Sequence, residues 1–171
     1  ISPEHDSKLL TIQLNLFLTM GLDMYLKGVK YFGTCKYDYS VICANPIKKV
    51  DPIYQAITDA AGIEQTDEIG SCECHLQVMY WRKANQIHKW FDDNVKGGCK
   101  NCEPARVTKE QLTQLHSECC NALAHKDAEV LPTQSGFFFG STEIDEWYWE
   151  DLEITRDELE KLLKADQFDE Y

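Results

Sequence analysis

The twelve residues Tyr80-Trp-Arg-Lys-Ala-Asn-Gln-Ile-His-Lys-Trp-Phe91 are rich in side chains able to do chemistry: two Trp, a Tyr, a Phe, a His, an Asn and three cations. Read as a helix, at about 100° per residue, they place Tyr80, Ala84, Ile87, Phe91 and Val95 on one narrow face, a core stripe. Trp81, Asn85 and His88 then follow the edge of that stripe, with Arg82 beside them and Lys89 further round. An aromatic face stacks a planar ring, an Asn amide pairs with the edge of such a ring, and an Arg guanidinium forks a phosphate. This edge is a candidate site for an anionic or ring-bearing, nucleotide-like small ligand. The structural alternative is a core Trp, a His and an Asn bonded to nearby backbone, and solvated cations.

A second segment, Gln134-Ser-Gly-Phe-Phe-Phe-Gly-Ser-Thr142, brackets three consecutive Phe with glycines. Gly136 and Gly140 let the backbone turn or approach a ligand closely, and Ser135 and Gly136 are candidate contacts for it. The N–H groups ahead of a helix starting near Thr142 suit an anion. The segment has neither the Gly-Lys-Ser/Thr of a Walker loop nor the Gly-x-Ser-x-Gly of a nucleophile elbow, so it reads as a pocket wall or as a buried strand or tight loop. Three Phe need cover, and the aromatic flank around Trp81 and His88 matches them, so the two segments are expected to meet.

Cysteine supplies one metal-like spacing. Cys99-x2-Cys102, then thirteen residues, then His116-x2-Cys119 is compatible with a Cys3His zinc set, with Cys120 as an alternative ligand. Against it, Cys119 falls in the middle of an apolar helix face, where a thiol packs as a small hydrophobe. Cys72, Cys74 and His75 form a weaker second group. A hydrolase acting on a nucleotide or phosphoester is the alternative reading, with His88 as acid/base beside Asp145 or Glu143 and Arg82, although no doubled His/Asp metal-hydrolase motif is present.

The elements that would position these groups read as α+β: an N-terminal β region packed with about four α-helices in a single domain. Leu10, Ile12, Leu14, Leu16 and Leu18 alternate with polar residues, the period of a half-buried strand, and the parity continues through Met20, Leu22, Met24 and Leu26. Tyr37–Cys43 reads as a further strand. Asp51-Pro52 opens a helix with Ile53, Ala56, Ile57 and Ala60 as its inner face, closed at Gly62. Residues 64–74 read as a loop. Thr108 and Gln111 make a capping box for a helix whose inner face is Leu112, Leu115, Cys119 and Leu123. Thr142 caps a third helix carrying Trp147, Tyr148 and Leu152, and Thr155 with Glu158 starts a last one.

At 171 residues and 43% apolar content the chain is long enough to bury a core. Its net charge of −12 is uneven: residues 143–171 hold 12 Asp/Glu and 3 Lys/Arg, whereas the first 142 hold 17 and 14. Duplex DNA is disfavoured as a bulk partner, because phosphate binding wants a basic face. The acidic end is either a solvated surface or a docking surface for a basic host protein, as in an acidic protein-binding inhibitor. No span approaches the roughly 20 apolar residues of a membrane helix, and the uncharged run Leu9–Leu22 makes a poor signal peptide.

Three stretches carry a resemblance to an uncharacterised family of small bacteriophage and prophage proteins: Met20-Gly-Leu-Asp-Met-Tyr-Leu26, Tyr80–Phe91, and Leu131–Thr142 running on into Asp145-Glu-Trp-Tyr-Trp-Glu-Asp151. The likeness covers roughly residues 20–165. Residues 1–19 stand before it as an extension or an extra strand, and 20–171 as the domain proper. The resemblance implies an accessory protein of the bacterial cytoplasm, with a role in host takeover or counter-defence, and reduced thiols in that setting. It assigns no reaction.

Overall fold

The structure, a computed structural model, describes residues 9–14 (backbone), 23–33, 51–64, 71–96, 104–136, 139 and 141–168. In chain order these form β1 (Leu9–Leu14), β2 (Asp23–Gly33), α1 (Pro52–Ala60), β3 (Ser71–Arg82), α2 (Asn85–Asn94), β4 (Ala105–Thr108), α3 (Lys109–His125) and α4 (Glu146–Ala165). The fold is α+β, a four-stranded sheet of order β3-β2-β1-β4 with four helices. Packing divides the chain into two units, one within Ile1–Val29 and His75–Tyr171, the other within Lys30–Cys74. None of the described helices is long and apolar enough to cross a membrane.

β1, which lies ahead of Met20, is a central strand. It runs antiparallel to β2, with Thr11 opposite Lys27 and Leu14 opposite Met24, and antiparallel to β4, with Leu9 opposite Thr108 and Ile12 opposite Ala105. β2 keeps the expected parity: Met24 and Leu26 are buried, while Tyr25 and Lys27 are less so. Gly28 makes room for a ring, since a Cβ there would sit 2.7 Å from Phe168.

Two expected boundaries move. Tyr80 and Trp81 lie on β3, not on a helix, and the expected loop over 64–74 gives way to strand from Ser71. Val78-Met-Tyr-Trp81 is β-branched and aromatic and suits a pleated surface, so Met79 and Trp81 point into the core while Tyr80 is exposed. On that outer face Tyr80 stacks on Tyr25 at 5.0 Å and donates its hydroxyl to Asp23 Oδ1 at 2.9 Å. From Ala84 onward the expected stripe holds, with Ala84, Ile87, Phe91 and Val95 all buried.

The second change is at the C-terminal end. One 20-residue helix, α4, replaces two; its cap is Asp145, whose Oδ1 accepts from Tyr148 N at 3.0 Å, rather than Thr142. Thr155 starts no helix. It is fully buried in mid-helix, and its Oγ1 accepts a hydrogen bond from Trp81 Nε1 at 2.9 Å. With that partner the hydroxyl does not compete for backbone, and the helix runs on.

α3 starts on the expected capping box and buries Leu112, Leu115 and Cys119. Together with Val107, Leu131, Tyr148, Leu152 and Leu159 these complete the core around Phe91 and Trp90. In the other unit α1 has its Asp51 cap and Pro start, yet Ile53, Ala56, Ile57 and Ala60 are exposed and only Thr58 is buried. The helix forms on its local signals, but its apolar face is not an inner one. The expected strand Tyr37–Cys43 lies outside the described residues.

Candidate functional site

The site is built at the junction of β3 and α2. The strand ends at Arg82, Lys83 takes the left-handed conformation (φ 59°), and the helix begins at Asn85 with no side-chain cap from Ala84. That sharp change of direction leaves Arg82 and Lys83 exposed at the junction while Asn85 and Gln86 are buried behind them. A non-glycine residue at positive φ is uncommon and costs conformational energy.

Asn85 holds the glycine-bracketed loop. Its Nδ2 donates to Gln134 O at 2.8 Å and to Ser141 O at 3.1 Å, and its Oδ1 accepts from Gln134 N at 2.8 Å. Thr133 Oγ1 donates to Thr142 O at 3.2 Å across the base of the same loop. Within it, Phe139 N donates to Gly136 O at 3.2 Å, and a Cβ on Gly136 would lie 2.5 Å from the Phe139 ring, so a larger residue there would force that ring to move. Phe137 and Phe138 lie outside the described residues. Gln86 Nε2 donates to Tyr148 O at 3.2 Å, and Tyr148 donates its hydroxyl to Leu131 O at 2.8 Å. Burial pushes the Tyr148 phenol up to about 12, so it stays a neutral donor.

Between these groups lies a cleft of about 280 Å³, lined by Arg82, Lys83, Asn85, Gln86, Thr133, Ser141, Glu143, Asp145, Trp147, Tyr148 and Asp151. Trp147 is 72% exposed and offers a free aromatic face. The Asp151 carboxyl is pushed up to about 6, first by burial and then by the charges of Glu150 and Asp145, with a hydrogen bond from Gln86 pulling the other way. The cleft thus combines two cations, an aromatic face, and three carboxyls, one of them poised near neutrality. Such a set can hold an anionic group at one place and hydrogen-bond donors at another.

The residues expected from sequence divide. The two segments do meet, through Asn85 and through the His88 ring, which packs edge-on to Phe139 at 4.6 Å. Arg82 and Asn85 line the cleft; Trp81 and His88 do not. Trp81 is in the core against Phe91, its rings 5.6 Å apart, because a strand sends Trp81 and Arg82 to opposite faces. His88 is 2% exposed, with Nδ1 3.7 Å from Asp92 Oδ2 and no hydrogen bond to either ring nitrogen among the described residues. Burial pushes the imidazole below its ordinary value, and the nearby Asp92 carboxylate opposes this. Ser135 and Gly136 are exposed but outside the cleft lining. Of the hydrolase set, Arg82, Asp145 and Glu143 share the cleft, without His88.

Ser141 belongs to the segment read as a pocket wall, whereas Lys83, Gln86, Thr133, Trp147, Tyr148 and Asp151 line the cleft without being singled out by the sequence. The one available signal was Glu143-x-Asp145 and Asp151 around the start of an aromatic helix.

The zinc candidates Cys99 and Cys102 lie outside the described residues. On α3, Cys119 is fully buried in the core and its thiol is pushed up to about 12 by burial, while Cys120 Sγ lies 3.8 Å from His116 Nε2. A thiol so held suits packing better than ligation, which needs the thiolate. Among the described residues no group of three or more His, Cys, Asp or Glu is arranged to hold a metal ion.

No family model, curated protein or solved structure significantly matches the chain.

Proposed function

We propose that this is a phage- or prophage-type accessory protein that binds a small nucleotide-like ligand in the cleft at the β3–α2 junction. The observation that carries the reading is the pairing, in one cleft, of Arg82 and Lys83 with an exposed Trp147 and three carboxyls. The cations suit a phosphate, the indole a planar ring, and Glu143 or Asp151 the amino donors on that ring's edge. Size and charge narrow the class. A volume near 280 Å³ falls just below the range of ligand pockets, about 300 to 1,000 Å³. Three carboxyls against two cations disfavour a polyphosphate. A nucleoside monophosphate with an exocyclic amine fits best. The phage-like motifs of the sequence support a role in host takeover or counter-defence.

Isothermal titration of the full chain with AMP, CMP, GMP, UMP and ATP tests this. A monophosphate is expected to bind more tightly than ATP, and Arg82→Ala to weaken it at least tenfold. Failure of all the monophosphates at millimolar concentration would remove the reading.

One observation favours a second reading in the same cleft. Asp151, with its carboxyl near 6, is suited to general acid/base work beside Arg82 in a hydrolase acting on a phosphoester. Release of nucleoside or phosphate from a bound monophosphate, lost in Asp151→Asn with binding retained, would establish it; a stable complex over hours would refute it.

A further inference from the structure

α4 has two unlike halves. In the C-terminal half the acids are paired: Asp157 with Arg156 at 2.7 Å, Glu158 with Lys161 at 2.6 Å, Glu160 with Lys164 at 2.6 Å, and Asp166, just past the helix, with Lys109 at 2.8 Å. In the N-terminal half, Glu146, Glu150 and Glu153 are exposed and make no ion pair within 4 Å among the described residues, although Arg156 is near enough to Glu153 to feel its charge. Glu146 and Glu150 are four apart, Glu150 and Glu153 three apart, so these like charges face one another along the helix and destabilise it. The helix N-terminus favours Glu146 in the first turn, but its effect fades before Glu150 and Glu153.

Apolar side chains stand among these acids. Trp147 is 72% exposed, Ile154 is 50% exposed, and Ile144, just before the helix, is 45% exposed. Positions 147 and 154 are seven apart, which returns them to the same face two turns on, with Glu150 between them. An exposed Trp and Ile on one helical stripe, rimmed by unpaired acids, have the composition of an interface anchor with a charged rim.

We propose that the N-terminal half of α4 docks a lysine- or arginine-rich segment of another protein that also carries an apolar anchor. Charge selects this occupant. Cations relieve the repulsion among Glu146, Glu150 and Glu153, and they can lie over the Trp147 ring, as Lys126 Nζ already lies 4.5 Å from the Trp149 ring centre. A second copy of this chain brings a net charge of −12, and nucleic acid brings phosphates; both add to the repulsion. Glu146, Glu150, Glu153 and Ile154 do not line the cleft, so the face stands independently of the ligand reading, with Trp147 at their shared border.

The test uses the full chain and a labelled 16-residue amphipathic peptide alternating Lys with Leu, read by fluorescence anisotropy, with a Glu-for-Lys version as its control. The Lys peptide should bind and the Glu peptide should not. Glu150→Lys with Glu153→Lys should weaken binding at least tenfold, and Ile154→Ala about threefold or more. Glu158→Lys with Glu160→Lys makes the same change of net charge on the paired half and should alter binding less than twofold. Equal losses from the two charge-reversal pairs, or no effect of Ile154→Ala, would show bulk attraction to an acidic protein and overturn the proposal. Arg82→Ala should leave peptide binding unchanged, so the cleft and the helix face can fail separately.

Discussion

The buried and the exposed linings of the cleft use the same kinds of side chain for opposite ends. Asn85 and Gln86 are polar groups whose hydrogen bonds run to the Gln134, Ser141 and Tyr148 backbone, so they fix the loop and α4 in place. Arg82, Lys83 and Trp147 sit a few residues or one helix away, exposed. The chain turns from one role to the other across a single left-handed residue, Lys83. A polar residue in a motif is thus not by that fact a ligand contact: burial with hydrogen bonds to distant backbone marks a brace, and exposure at a break in the backbone marks a contact.

The sharpest way to break this division is to remove the brace. Asn85→Ala deletes three hydrogen bonds at once and leaves the backbone of Gln134 and Ser141 without those partners. Unsatisfied groups cost about 1–3 kcal/mol each when water cannot reach them. The loop is partly exposed, so a total loss of about 2–3 kcal/mol is expected by urea denaturation. A loss under about 0.5 kcal/mol would mean that Asn85 is no brace and is free to serve a ligand.

What could be read from the sequence follows the range of each interaction. The Asp51-Pro52 start and the Thr108/Gln111 box are complete within four residues, and both stand as expected. Thr155 and Glu158 have the same local pattern, but the hydroxyl of Thr155 is held by Trp81, 74 residues away, and no helix starts there. Tyr80 and Trp81 fit the helical period of the residues after them and equally the alternation before them; the choice rests on what each face packs against. That the Asn85 and Phe139 segments would meet was legible from their need for cover. That Asn85 bonds to backbone was one of the two readings open to the sequence; that its partners are Gln134 and Ser141, 49 and 56 residues away, was not, because no residue type announces which backbone atoms it will meet. The Asp151 carboxyl is pushed up chiefly by tertiary burial, which no residue spacing announces.

His88 and Asp151 sharpen the comparison through pH. Folded His88 has its pKa lowered by burial, whereas an unfolded His takes a proton near 6.5. Its contribution is therefore present above about 6.5 and lost as pH falls below that value. Asp151 has the opposite sign. Its folded value of about 6 lies above the ordinary carboxyl value of 3.8, so its contribution is fully present below about 3.8 and lost as pH rises through 6. The two slopes oppose each other where the windows overlap, below about pH 6. Asp151→Asn should raise stability at pH 8 by on the order of 1–2 kcal/mol, allowing for partial solvent screening, and expose the acid sensitivity of His88. His88→Phe should do the reverse and leave a protein that gains stability from pH 7 to 5. Thermal unfolding across pH 5–8 for both variants checks the signs; parallel profiles in the two would show that neither group titrates as its surroundings require.

The smallest stability effect is expected where the binding effect is largest. Arg82 is exposed, its side chain lines the cleft, and neighbouring Lys83 already absorbs the turn of the backbone. Arg82→Ala should therefore change stability by no more than about 0.5 kcal/mol, as for a surface residue without a structural role. In the same preparation, affinity for a nucleoside monophosphate should fall at least tenfold, which is about 1.4 kcal/mol of binding free energy. Asn85→Ala serves as the counterpart, since it should lower stability first and affinity only as the loop loosens. The pair of measurements distinguishes a contact from a brace in a way that neither does alone. If Arg82→Ala lowered the unfolding free energy by as much as Asn85→Ala, the guanidinium would belong to the structural layer, and the exposed lining would no longer be the place where a ligand is read.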